Sequence, residues 1–130
     1  MKHFEYVVPS NKGFEQTIEA IDAELKKIAF KIVARIDIHN NILNKGYDFK
    51  KKVSVLEVCN AGEAYEILSL GNEVSIFLPC KITVTEEDGI VNIRMPRPTF
   101  LLNQYEKEEW NKTADHVESL MINVMDEAAK

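Results

Sequence analysis

The dipeptide Asp88-Gly89 constrains this chain more than any other feature of its sequence. A two-residue type I′ turn needs positive φ at both central positions, and an Asp-Gly pair supplies them at little cost. The turn predicts a hairpin of residues 74–86 and 90–95 and sets its register. Glu87 faces Ile90, Val84 faces Ile93 and Ile82 faces Met95. Because side chains alternate along a strand, one face collects Cys80, Ile82, Val84, Val91, Ile93 and Met95. The other collects Thr83, Thr85, Asn92 and Arg94. Pro79 lies inside the longer strand and predicts a bulge or a strand edge there. A hairpin apolar on one side must be covered on that side.

The rest of the chain supplies the cover. Phe14, Ile18, Ile21, Leu25 and Ile28 recur at spacings of four and three, one stripe of a helix over about 12–28 with Ser10 or Asn11 as its cap. Asn60, with Glu63 three residues on, opens a second helix whose stripe is Ala61, Ala64, Tyr65 and Leu68 and which Gly71 ends. Trp110, Val117, Leu120, Met121 and Val124 mark a last helix over about 106–128.

Three further segments read as strands. Phe4, Tyr6 and Val8 alternate with His3, Glu5 and Val7, and Pro9 stops the run. Residues 31–38 place Ile32, Ala34, Ile36 and Ile38 on one face, predicted to be buried. Val53 to Val58 is short and mostly apolar, which predicts a central position.

This order gives an α+β fold, a two-layer sandwich. Its sheet is mostly antiparallel or mixed, has five to six strands and carries helices on one face. The chain reads as a single domain over residues 1–130. The open face carries Glu5, Lys31, Arg35, Thr83, Thr85 and Arg94 mixed with Val7 and Val33. That mixed face, with the apolar segment Phe100–Leu102, predicts a homodimer.

Composition removes several function classes. A net charge of −5 gives no electrostatic reason to bind nucleic acid. The lysines at 45, 50, 51 and 52 read as a solvated loop and strand entry. No apolar run approaches the ~20 residues of a membrane span. With no secretory signal at its start, the cytoplasm is the expected compartment and reduced thiols the expected state. The five glycines stand at 13, 46, 62, 71 and 89. They lie too far apart for a dinucleotide fingerprint or a P-loop. His3, His39 and His116 form no local metal motif.

The chemistry that remains centres on two cysteines. Cys59 immediately precedes the second helix, whose N-terminal dipole favours thiolate. Cys80 follows Pro79 at a strand start. If the 53–58 strand and the hairpin pair antiparallel, both sulfurs reach one edge of the sheet. They could then hold zinc with help from His39, or cycle as a dithiol. Both could equally be small buried apolar residues. Asp37, two residues before His39, shares its face if the strand extends that far, and could fix the imidazole tautomer. A simple hairpin between the second and third strands would instead leave His39 at the edge away from Cys59.

The segments Ile36-Asp37-Ile38-His39, Val58-Cys59-Asn60, Phe77-Leu78-Pro79-Cys80 and Glu87-Asp88-Gly89 follow one another in that order. Together they resemble the family called domain of unknown function 302, found in bacteria and archaea, over nearly the whole chain. The resemblance implies a compact α+β fold and a homodimer. It points to Asp37, His39, Cys59, Asn60, Pro79 and Cys80 as recurring positions, and it supplies no activity. Ala61 stands where the family usually has proline, and alanine fits a helix's first position too.

The expectation is therefore an uncharacterised small cytoplasmic protein, a dimeric ligand- or metal-binding module. Cys59, Cys80 and His39 are its candidate metal ligands, with Asp37, Asn60 and Pro79 around the same pocket. A thiol-dependent enzyme or redox protein is the first alternative, and an interaction protein without a chemical site the second.

Overall fold

A computed structural model describes residues 4–130; His3 lies outside the described residues. Five strands form one antiparallel sheet in the order β1-β5-β4-β3-β2. They are β1 (Glu5–Ser10), β2 (Lys31–Asp37), β3 (Lys52–Cys59), β4 (Cys80–Glu87) and β5 (Ile90–Pro96). Five α-helices accompany them: α1 (Phe14–Lys26), α2 (Ile38–Leu43), α3 (Ala61–Ser69), α4 (Pro98–Leu102) and α5 (Glu108–Ala129). The α+β class and the antiparallel sheet match the sequence expectation.

The hairpin has the register that the turn dictates. Glu87 pairs with Ile90 and Val84 with Ile93, and both Asp88 and Gly89 have positive φ. Directly opposite residues share a face. The side holding Ile82, Val84, Val91, Ile93 and Met95 is buried. Against it pack Phe14, Ile18, Ile21 and Leu25 of α1, with Val117, Met121, Val124 and Met125 of α5. A second, smaller cluster of Ile67, Val74, Leu102, Trp110 and Ala114 sits beside the first. It joins α3, α4 and the start of α5.

Several local expectations are corrected. β1 runs through Pro9 to Ser10, because it is an edge strand where a missing N–H interrupts nothing. Gly13, not Ser10 or Asn11, caps α1; the Ser10 hydroxyl instead bonds the buried Thr17 hydroxyl at 2.7 Å. Residues 73–77 form a 3₁₀ segment (Glu73–Phe77), so the long hairpin strand starts only at Cys80. In α3 the buried residue is Ile67, while Tyr65 and Leu68 are exposed. β3 lies inside the sheet, but β4 is its middle strand.

The largest difference is in β2. The register shifts between Ile32 and Ala34, and a bulge of this kind reverses the side-chain phase beyond it. Arg35 then lies opposite the buried Leu56, on the helix-covered side, and Ile36 is left exposed opposite Val55. The predicted buried set of Ile32, Ala34, Ile36 and Ile38 therefore breaks after its first member. Arg35 does not belong to the open face. It binds Glu15 of α1 at 2.6 Å and Asp37 at 2.8 Å. The lysines of the preceding loop and β3 entry pair with carboxylates, Lys50 with Asp48, Lys51 with Glu87 and Lys52 with Glu86.

Candidate functional site

The antiparallel pairing of β3 with β4 decides where the cysteines go. Val58 lies opposite Cys80, so Cys59, the last residue of β3, leaves the sheet at the end where Cys80 enters it. β5 also ends there, at Pro96. Asn60 caps α3 at this rim: its side-chain oxygen accepts from the Glu63 N–H at 3.0 Å. Its amide donates to the Ala29 carbonyl at 3.0 Å, which ties the helix to the chain entering β2.

A pocket of about 390 Å³ opens at this rim. It lies between the two hydrophobic clusters. Phe30, Val58, Met95 and Val117 of the larger cluster form one wall. Ile67, Val74, Leu102 and Ala114 of the smaller cluster form the other. The volume falls in the range of small-molecule sites. The lining is mostly apolar; its polar residues are Glu57, Cys59, Asn60, Glu63, Cys80 and Lys81 near the sheet rim, and Thr113 on α5. Ile76, three-quarters exposed, marks the opening to solvent.

Ionisation follows position. Burial pushes the Cys80 thiol up to about 11, and neighbouring Cys59, Glu57 and Glu63 add to the effect. Cys80 is thus held as the neutral thiol at ordinary pH, which disfavours its thiolate. Glu57 is held by Lys81 at 2.6 Å. Glu63 lies 3.4 Å from His116, which carries charge only when protonated.

Of the six positions singled out in the sequence, Cys59, Asn60, Pro79 and Cys80 line this one pocket. Asp37 and His39 do not. Asp37 ends β2 opposite Ser54, and His39 lies in α2, where the Val53 N–H donates to its Nδ1 at 3.0 Å. Val53 and Cys59 are six steps apart on β3, about 20 Å at the rise of an extended strand. His39 as a third ligand beside the cysteines is therefore corrected. The simple β2–β3 antiparallel pairing sends it to the opposite end of the sheet.

The donor set also falls short of a tetrahedral zinc site. Among the described residues no group of three or more His, Cys, Asp or Glu could hold one ion. Both cysteines are free thiols, and Cys59 lies one step beyond the Val58–Cys80 pair.

Asp37 instead belongs to a structural cluster. The Ser54 hydroxyl donates to its carboxylate at 2.5 Å and Arg35 donates at 2.8 Å. Together these hold its pKa below the usual carboxylate value. Pocket residues from α3, α4 and α5 had no distinct mark in the sequence. Leu102 and Val117 read there only as apolar positions, and Ile67 lies outside the predicted stripe of the second helix. Among the described residues no helix is long and apolar enough to cross a membrane.

The family described as "Domain of unknown function DUF302" matches residues 6–128. A crystal structure of an uncharacterized conserved protein DUF302 from Bacillus stearothermophilus is similar across 98% of each chain, at 31% identity and a TM-score of 0.92. No curated protein matches the chain.

Proposed function

The chain belongs to the DUF302 family, and from that premise we propose that it is a binding module for a small, largely apolar molecule taken into the pocket behind Cys59 and Cys80. The observation that carries this reading is the gap of about 390 Å³ between the two hydrophobic clusters. Interiors normally pack without voids of that size, and an apolar lining with polar groups at one end is how small-molecule sites are built. The thiol-dependent enzyme is the weaker reading, because Cys80 stays protonated until strongly alkaline pH.

Pairing of two copies through the open face of the sheet accompanies this reading. Val7, Ile36 and Ile90 are exposed there, and sedimentation showing a monomer at micromolar concentration removes it. The segment Phe100–Leu102 no longer supports a dimer, because Leu102 is buried in the smaller cluster and Phe100 packs edge-on against Phe4.

Titration with 1-octanol tests the pocket. Trp110, the single tryptophan, packs in the same cluster as the four lining residues Ile67, Val74, Leu102 and Ala114 and reports the titration. Each buried methylene gains about 0.8 kcal/mol, so a one-to-one complex with a Kd of order 0.1–1 mM is expected. Ala64→Phe, on the wall of the pocket, should abolish saturable binding and leave the far-ultraviolet spectrum unchanged. No saturable binding to the wild-type protein, or equal binding to the variant, overturns the reading.

A further inference from the structure

We infer that the pocket's preferred ligand is an amphiphilic amine, its hydrocarbon body between the two clusters and its ammonium group at the sheet rim beside Glu63. This deepens the binding reading above and rests on it. The lining residues include two acids, Glu57 and Glu63, and one lysine, Lys81. Glu57 and Lys81 face each other between the inward-facing Leu56–Ile82 and Val58–Cys80 pairs, so their side chains lie toward the open face of the sheet. Lys81 sits 2.6 Å from Glu57, and that pair neutralises itself. Glu63 has no lysine or arginine partner among the described residues; its one ionisable neighbour at salt-bridge distance is the exposed His116. The Glu63 side chain is about one-quarter exposed, so a charge brought next to it is only partly screened.

The Asn60 side chain caps the Glu63 backbone N–H and leaves the carboxylate free of that task. With His116 neutral, the rim therefore carries one carboxylate charge, that of Glu63, at the mouth of an apolar chamber. The surroundings of Cys80 agree: beyond burial, every named influence on its thiol comes from a group that is negative when ionised, Cys59, Glu57 and Glu63. An anionic head would meet repulsion from Glu63 here, and a neutral head would leave Glu63 with His116 as its one ionisable neighbour at salt-bridge distance.

The test compares three probes of one chain length, n-octylamine, 1-octanol and octanoate, at pH 7 and low ionic strength. Binding is followed by calorimetry and by Trp110 emission, on the wild-type protein, Glu63→Gln and Ala64→Phe. The inference expects the amine to bind about fivefold tighter than the alcohol, the size of a partly exposed charge pair, and octanoate to bind weakest. In Glu63→Gln the amine should fall to the level of the alcohol, while the alcohol is unchanged. That variant alters the net charge by only one, so a general attraction to an acidic protein would survive it. Octanoate binding as tightly as the amine, or an amine preference untouched by Glu63→Gln, overturns the inference and leaves the pocket standing. If none of the three probes binds saturably, the pocket reading itself fails, and this inference with it.

Discussion

The indole Nε1–H of Trp110 donates to the backbone carbonyl of Ile67 across 3.0 Å, in surroundings that bury the ring completely. The bond fastens the start of α5 to α3, two elements of one wall of the pocket. Tyr105 meets the same ring edge-on, with centroids 4.9 Å apart. Trp110→Phe keeps an aromatic ring but removes the donor and part of the volume. We expect a loss of about 2–4 kcal/mol in urea unfolding, from the lost bond and the void together. The midpoint should move while the slope stays constant. A loss below about 1 kcal/mol would mean that α3 and α5 are held together elsewhere.

The hairpin turn makes a sharper demand. Gly89 has φ +81° and Asp88 φ +53°, and a Cβ at Gly89 would meet no neighbouring atom within 4 Å. Space is therefore not the constraint; backbone conformation is. Gly89→Ala should cost about 1–2 kcal/mol, read as a lower thermal midpoint with no change in the folded far-ultraviolet spectrum. An unchanged midpoint would show that the turn tolerates an L-residue at this φ.

These two sites differ in how far the sequence announces them. Asp88-Gly89 is a local rule, and from it the register of β4 and β5 and the buried set from Ile82 to Met95 could be read directly. The α1 stripe was legible for the same reason, because four of its members, Phe14, Ile18, Ile21 and Leu25, obey one short period. The β2 bulge was not. Ile32, Ala34, Ile36 and Ile38 alternate well enough to hide one extra residue, and only pairing with β3 exposes it.

The convergence of Cys59 with Cys80 needed just one long-range assumption, antiparallel pairing of two strands, and that assumption holds. The pocket needed far more. Its walls come from two clusters whose members, from Phe30 to Val117, look like ordinary core residues in the sequence. Nothing local distinguishes an apolar residue beside a gap from one without a gap.

The bulge has an acid-side consequence. It turns Arg35 toward α1 and Asp37, and the Ser54 hydroxyl, fully buried, donates to the same carboxylate. Asp37 is held below its ordinary pKa, first by Ser54 and then by Arg35. A carboxylate with a depressed folded pKa stabilises the protein above its unfolded value, near pH 3.9, and that contribution is lost as pH falls from there through the folded value. Asp37→Asn should cost about 1–2 kcal/mol at pH 7, a figure reduced for its partial exposure. The difference between variant and wild type should shrink as pH drops below about 4. Stability curves that stay parallel from pH 7 to pH 2.5 would remove the ionised form from the account.

Cys80 has the opposite sign. Burial raises its thiol pKa from the ordinary 9.0 to about 11, so folding favours the protonated form. Below pH 9 the thiol is protonated in both states and contributes no pH dependence. Between pH 9 and about 11 the unfolded chain releases a proton that the folded chain keeps, and stability falls with rising pH. Two pKa steps at about 1.4 kcal/mol each set the full loss at roughly 2–3 kcal/mol. Tyrosines and lysines titrate in the same range, so the useful quantity is the difference from Cys80→Val, which removes this thiol alone. Denaturation at intervals between pH 8 and pH 11 should show the wild type losing stability faster than the variant. Iodoacetamide at pH 8 should likewise leave the Cys80 peptide unmodified in the folded protein and label it in urea. Parallel alkaline slopes together with ready labelling of the folded chain would place this sulfur in water, and the inner wall of the pocket would then have to be redrawn.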